Sequence, residues 1–407
     1  MTMAKRKKQL LLRLQRPVYA LLRAITQPYL RLHYGFRAPA RRLPDGPCLI
    51  YANHLTNMDQ FMLMHAFPQQ MYFVASEHLL RRGFGRPMAL LMDPIIRQKG
   101  RTDADAALAI LRRLRQGKHV CVFIEGERSY DGCTAQIAES AAHLAKLAGV
   151  TFVTYRLENA YFSGPRWARH VRRGPVSGDI RHIYSPQELA GLSRDALQQA
   201  LCRDLWLDAS AEQAARPAVY RGRRLAEYLE TTLFLCPRCG RIGSLKSADD
   251  RFACSCGLAL RYTEYGRLEA AEGGEPPFTT VRDWFAWQRD RVQELARAAL
   301  LPGAPDAPLA ADAGQRLYAC SGFSRRLQGR GCFALYADRI VFTPEKDGKA
   351  WTLPLRALDD FSCQGRQLLS FLSGGQLYEL VSPYPRSAVK YQLLLRALRR
   401  AEGEKEV

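Results

Sequence analysis

The chain has 407 residues, 47% hydrophobic and 24% charged, a composition that excludes disordered and fibrous polymers and fits two or three globular domains. Its 60 Lys and Arg against 39 Asp and Glu give +21, so the expected partner is a polyanion, either nucleic acid or an anionic membrane surface. No run of 18 apolar residues occurs, so a spanning helix is not expected, and eleven cysteines with four at metal-ligand spacing fit a reducing compartment.

The first 44 residues hold eleven Lys or Arg and no acid. From Arg16 onward the polar positions Arg16, Arg23, Gln27 and Arg31 share one helical face, while Val18, Leu21, Leu22, Ile25 and Tyr29 share the opposite one. Pro17 suits the opening of such a helix, and Pro28 its kink or end. A basic amphipathic helix lies in a membrane interface; the bland alternative is a helix packed on its own protein's core. Arg13 and Arg16 interrupt the apolar stretch, so a signal peptide fits poorly. Residues 1–42 are therefore expected to rest peripherally on the cytoplasmic face of a membrane.

Next come alternating strands and helices: strands over 47–52 and 71–75, a helix over 103–115 stopped by Gly117, a strand over 119–124, a helix over 135–148 and a strand over 150–155. The alternation predicts an α/β domain over 43–232, its mostly parallel sheet flanked by helices. Residues 190–232 look helical and charged.

Two stretches of this domain carry chemistry. In YANHLTNMDQF (51–61), His54 sits where a strand turns into a helix, and Asp59 follows five residues later. An imidazole is the natural base for an alcohol proton near neutral pH, and a carboxylate on its other nitrogen fixes the tautomer. The alternative is a helix-capping Asn53 beside an incidental His and Asp. In VCVFIEGERSYDG (120–132), a strand runs into a polar turn with Glu125, Gly126, Glu127, Arg128 and Ser129. Turns at the carboxyl ends of strands are where α/β proteins bind ligands, and a guanidinium there can grip a phosphate.

NHLTNMD and FIEGERS, about 70 residues apart, resemble the paired motifs of the glycerolipid acyltransferases of the 1-acylglycerol-3-phosphate (PlsC-like) type. The resemblance covers about residues 40–185. It implies His54 as general base, Asp59 as its charge partner, and Asn53, Glu125, Gly126, Arg128 and Ser129 as acceptor-binding residues. A further Arg from IIRQKGR is implied, Arg97 or Arg101. It also implies transfer of an acyl chain from acyl-CoA or acyl carrier protein to a lysophospholipid hydroxyl, without metal or acyl-enzyme. Backbone amides at the helix start are expected to hold the oxyanion. The chain departs from the pattern at Ile124, Glu127 and Thr154. An acidic Glu127 beside Arg128 would weaken attraction for an anionic acceptor; Arg166 and Trp167 are candidates for further acceptor contacts.

Downstream, CPRCG and CSCG give Cys-x2-Cys, a 14-residue gap and Cys-x-Cys, the pattern of a structural zinc ribbon over 233–268 closed by Cys236, Cys239, Cys254 and Cys256. A helix over 279–300 and a Pro/Ala/Gly-rich linker over 300–314 follow, within a helix-and-linker segment over 269–314. Short alternating segments at 332–336, 339–343, 351–355, 368–372 and 377–381, then a helix over 386–401, resemble a β-rich pleckstrin-homology or GRAM-type domain over 315–402. Two rival readings are a catalytically silent lipid-binding scaffold and a zinc-ribbon nucleic-acid-binding protein. No nucleic acid is expected, because the basic residues concentrate in the N-terminus and no aromatic-rich RNA motif is present.

Overall fold

The computed structural model describes residues 3–77, 81, 91–97, 103–322, 324–346 and 348–403, with backbone alone for 3–13 and Asp103. The chain divides into two compact units, Met1–Arg166 with Val171–Gly222, and Trp167–His170 with Arg223–Val407.

The first unit opens with helix α1 (Met3–Tyr29), which runs through Pro17 rather than opening at it. After Pro28 the helix loosens into a π-helical turn, Leu30–Tyr34, closed by Gly35 at φ 71°. A Cβ on Gly35 would lie 2.0 Å from the carbonyl oxygen of Gly174, so both the left-handed backbone and the close approach require glycine. Gln15, Tyr19 and Leu30 of this segment are buried, while Leu14, Leu21, Ile25, Tyr29 and Leu32 are exposed. Spacings of seven, four, four and three put these exposed residues on one apolar stripe, set to one side of the face that packs inward.

Among the described residues the first unit's sheet has six strands, β1 (Cys48–Ala52), β2 (Met71–Ser76), β3 (Ile95–Arg97), β4 (His119–Phe123), β5 (Thr151–Glu158) and β6 (Ser177–Tyr184), in the order β3-β2-β4-β1-β5-β6. All neighbours are parallel except β5 and β6. The mostly parallel sheet thus carries an antiparallel edge strand that alternation did not predict. Alternate residues of β1 feed two cores. Cys48, Ile50 and Ala52 pack with Met62, Leu63 and Phe67 of helix α2 (Asp59–Ala66) and its neighbours. Leu49 and Tyr51 pack with residues of helices α3 (Asp103–Arg115), α4 (Glu139–Ala148) and α5 (Arg194–Leu205). A strand buried on both faces reads as a continuous apolar run, as CLIYA does. Helix α4 begins four residues later than expected, at Glu139, and the Ala135 amide before it donates to Glu125.

The second unit holds two antiparallel sheets among its described residues. Strands β7 (Leu245–Ala248), β8 (Arg251–Cys254), β9 (Ala259–Tyr262) and β10 (Leu268–Ala270) pair in the order β10-β9-β8-β7. Helix α6 (Val281–Ala299) is anchored to the segment before them: Trp284 Nε1 donates to the Leu235 carbonyl, and buried Gln288 accepts from the Phe234 and Leu235 amides. Strands β11 (Ala310–Ser321), β12 (Ser324–Leu335), β13 (Arg339–Pro344), β14 (Trp351–Pro354), β15 (Asp360–Gln364), β16 (Leu368–Ser373) and β17 (Gln376–Val381) form a seven-stranded sheet, with helix α7 (Val389–Ala401) following. The expected linker is shorter than composition indicated, since Ala310–Gly314 already lies in β11. No described helix is long and apolar enough to cross a membrane.

Candidate active site

Strands β1 and β4 are parallel neighbours with Ala52 opposite Phe123, so the turns that follow them emerge side by side. His54 follows β1. Its Nδ1 lies 2.8 Å from Asp59 Oδ2, and because a carboxylate only accepts, Nδ1 carries a proton, which in the neutral ring puts the lone pair on Nε2. Among the described residues no group bonds Nε2. The imidazole stacks on Phe123 with ring centres 4.3 Å apart, which fixes its plane.

Asp59 is fully buried and opens α2. Its Oδ2 accepts from the Leu55 and Thr56 amides at 2.6 and 2.9 Å, and its Oδ1 from the Thr56 amide and hydroxyl at 3.0 and 2.6 Å. A buried carboxylate held by this many donors cannot drift from the imidazole. The same bonds engage amides of the turn between β1 and α2. The Leu55 and Thr56 N–H groups point at Asp59, and that of His54 donates to Glu125 Oε1 at 2.7 Å.

Glu125 joins the two motifs. One carboxylate oxygen takes the His54 amide and the other takes the Ala135 amide at 2.9 Å. Burial pushes this carboxyl up to about 8, against the two amides and with help from the nearby Asp59 and Asp131 charges. Ser129 adds a second tie, its amide donating to the His54 carbonyl at 2.9 Å. Its hydroxyl donates to the Cys133 carbonyl and accepts from the Gly132 amide, so Ser129 shapes the turn. Asn53, fully buried, spends its amide on the backbone of Leu157, donating to the carbonyl at 2.9 Å and accepting from the N–H at 2.8 Å. It locks the end of β1 to β5.

Gly126 adopts φ 70°, and a Cβ built on it would lie 3.8 Å from Arg97 Nη1, so the guanidinium of Arg97 lies against this turn. Arg101 lies outside the described residues. Arg128 is half-buried, and its charge acts on Tyr34, whose hydroxyl donates to Asn57 Oδ1 at 2.9 Å. Two expectations change. Glu127 is not a bare acid, because the buried Arg166 guanidinium lies 3.0 Å from its Oε2. Trp167 is fully buried and meets Tyr262 edge-on at 5.3 Å within the second unit, so it is a core residue there.

Residues 36–158 match the family model described as Acyltransferase. The matched segment, a little under a third of the chain, contains both motifs and the parallel strands that carry them. No curated protein matches the chain. Among solved structures it is similar to the 1-acyl-sn-glycerophosphate (LPA) acyltransferase PlsC of Thermotoga maritima at 19% identity, covering 46% of this chain and 77% of that one with a TM-score of 0.41. It is also similar to the N-terminal PH domain of human ARAP2 at 16% identity, covering 26% of this chain and 93% of that one with a TM-score of 0.20.

In the second unit Cys236, Cys239, Cys254 and Cys256 bring their sulfurs within 4.8 Å of one another. Cys236 and Cys256 lie 3.7 Å apart, as do Cys239 and Cys254. A disulfide would need about 2.05 Å, whereas four thiolates at about 2.3 Å from a tetrahedral zinc stand about 3.8 Å apart. The cluster can hold a metal ion, and its donor set suits zinc. Arg241 Nε donates to Cys239 Sγ at 3.5 Å, as an outer partner of a thiolate ligand would.

Proposed function

We propose that the chain is an O-acyltransferase that moves an acyl group from acyl-CoA or acyl carrier protein to the hydroxyl of a lysophospholipid of the 1-acylglycerol-3-phosphate type. The observation that carries this reading is the contact of His54 Nδ1 with the buried Asp59 carboxylate, which leaves Nε2 as the proton acceptor. Nε2 takes the proton of the acceptor hydroxyl as its oxygen bonds to the thioester carbonyl carbon. The carbon–sulfur bond then breaks, and the imidazolium returns the proton to the departing thiolate. Asp59 stabilises the imidazolium between the two steps. Arg128, with Arg97 beside Gly126, supplies positive charge for the acceptor phosphate. Glu125 and Ser129 hold the two motifs in register, and Asn53 ties the end of β1 to β5.

The exposed stripe Leu14, Leu21, Ile25, Tyr29 and Leu32 fits peripheral attachment of α1 to an anionic membrane, where lysophospholipid acceptors reside. We place that attachment at a cytoplasmic membrane face. Zinc on the four cysteines is structural in this proposal, because four protein sulfurs leave no position for water. The seven-stranded sheet with α7 is proposed as the PH/GRAM-like domain.

The test compares the full chain with His54→Ala in transfer of labelled acyl groups, from CoA and from carrier protein, to a lysophospholipid panel with vesicles present. Transfer by the native chain that falls by about 10³-fold or more in the variant is expected. Absence of transfer from either donor to every acceptor would leave a lipid-binding scaffold as the better account.

A further inference from the structure

We infer that Arg166 is a positioning residue that sets both the charge and the backbone of the Glu127–Arg128 turn, and through them the preference for acceptors bearing a phosphate; this rests on the acyltransferase reading above. Arg166 lies near the close of the first unit's main segment and is 4% exposed. Its Nη1 stands 3.0 Å from Glu127 Oε2 and donates to the Arg128 carbonyl, also at 3.0 Å. The guanidinium carbon lies 4.0 Å from the centre of the Tyr130 ring, and the Tyr130 hydroxyl donates to the same Glu127 oxygen at 3.1 Å. One buried cation therefore touches residues 127, 128 and 130 of the turn that Glu125 and Ser129 tie to His54.

The consequences are electrostatic and geometric. A glutamate next to Arg128 places negative charge where a phosphate has to approach. A buried guanidinium in direct contact offsets that charge, so the positive charges of Arg128 and Arg97 stay effective toward an anion. The bond to the Arg128 carbonyl also fixes the backbone from which the Arg128 side chain starts. A planar guanidinium can meet a carboxylate, a carbonyl and a ring face together; a lysine ammonium is a point charge without that face.

The experiment uses the full chain and the variants Arg166→Ala, Arg166→Lys, Glu127→Gln and Glu127→Gln with Arg166→Ala. Affinity is measured by calorimetry for lysophosphatidate and for an uncharged monoacylglycerol, each in neutral detergent micelles, and acyl transfer is measured in parallel. We expect Arg166→Ala to weaken lysophosphatidate about tenfold, with monoacylglycerol changed less than about twofold. The double variant should recover most of that loss, because the unbalanced carboxylate is gone, and Arg166→Lys should fall between. Equal weakening of both acceptors, or a double variant no better than Arg166→Ala, would show a merely structural arginine and overturn the inference. If the affinity pattern holds while the native chain transfers nothing, the acyltransferase reading falls and the role of Arg166 stands.

Discussion

Replacing Asp59 with Asn tests the site more finely than removing His54, because the surrounding bonds dictate how the amide must sit. Placed at Oδ2, an NH2 group would face three donors: His54 Nδ1 and the Leu55 and Thr56 amides. Placed at Oδ1, it faces the Thr56 amide and the Thr56 hydroxyl, and that hydroxyl can rotate to accept. The second orientation costs less, and it keeps an oxygen on His54 Nδ1. The tautomer therefore survives, and the loss is the charge that stabilises the imidazolium. A hydrogen bond to a charged group is worth about 1.5–3 kcal/mol, so kcat should fall about 10- to 150-fold. Where the tautomer itself is lost, the fall is about 10⁴-fold. The assay is steady-state transfer of a labelled acyl group across pH, with folding checked by circular dichroism. A fall near 10⁴-fold would mean that the amide had turned the other way. A kcat within about threefold of native, in a chain that needs His54, would refute the role assigned to Asp59.

Three further outcomes are expected. Glu125 has its carboxyl raised to about 8, so the stability this group contributes is full below its unfolded value and is lost as pH rises through about 8; melting curves should show a decline across that window that flattens in Glu125→Gln. Chelation at neutral pH should release close to one zinc per chain in a colorimetric assay and lower the melting temperature, and Cys239→Ser should bind zinc more weakly. Leu21→Asp with Ile25→Asp should weaken sedimentation with anionic vesicles by at least about tenfold, since each side chain forfeits about 1.5–3 kcal/mol of apolar burial, while activity on detergent-dispersed acceptor changes little.

The contact of His54 with Asp59 was legible because it is local: five residues across a strand-to-helix turn put imidazole and carboxylate within reach. The four-cysteine cluster was legible for the same reason, each knuckle being a short loop. What Asn53, Ser129 and Glu125 do was not legible, since their partners at Leu157, His54 and Ala135 are set by strand order and tertiary packing. Arg166 was legible only as a candidate acceptor contact, since its pairing with Glu127, 39 residues away, is set by tertiary packing. Strand β3 escaped because three residues carry no period. The first half of β12 escaped because Ser324 through Gln328 are exposed without alternation, so no apolar pattern marks them as a strand.

Strand order explains why two motifs about 70 residues apart behave as one site. Strand β4 is inserted between β2 and β1, and parallel pairing brings the ends of β1 and β4 level. Each strand then turns immediately, one toward Asp59 at the start of α2 and the other into the Gly126 turn. Level ends alone would leave two loops free to move independently. The Glu125 carboxylate on the His54 amide, the Ser129 amide on the His54 carbonyl and the Phe123 ring against the imidazole remove that freedom. His54 is thus held from both sides of its own peptide and over one ring face, and in the mechanism proposed above Nε2 is the nitrogen that meets the acceptor. Preorganisation of this kind lowers the barrier by fixing geometry before substrate arrives, so substitution of Glu125 should act on kcat although its side chain need not touch the reacting atoms.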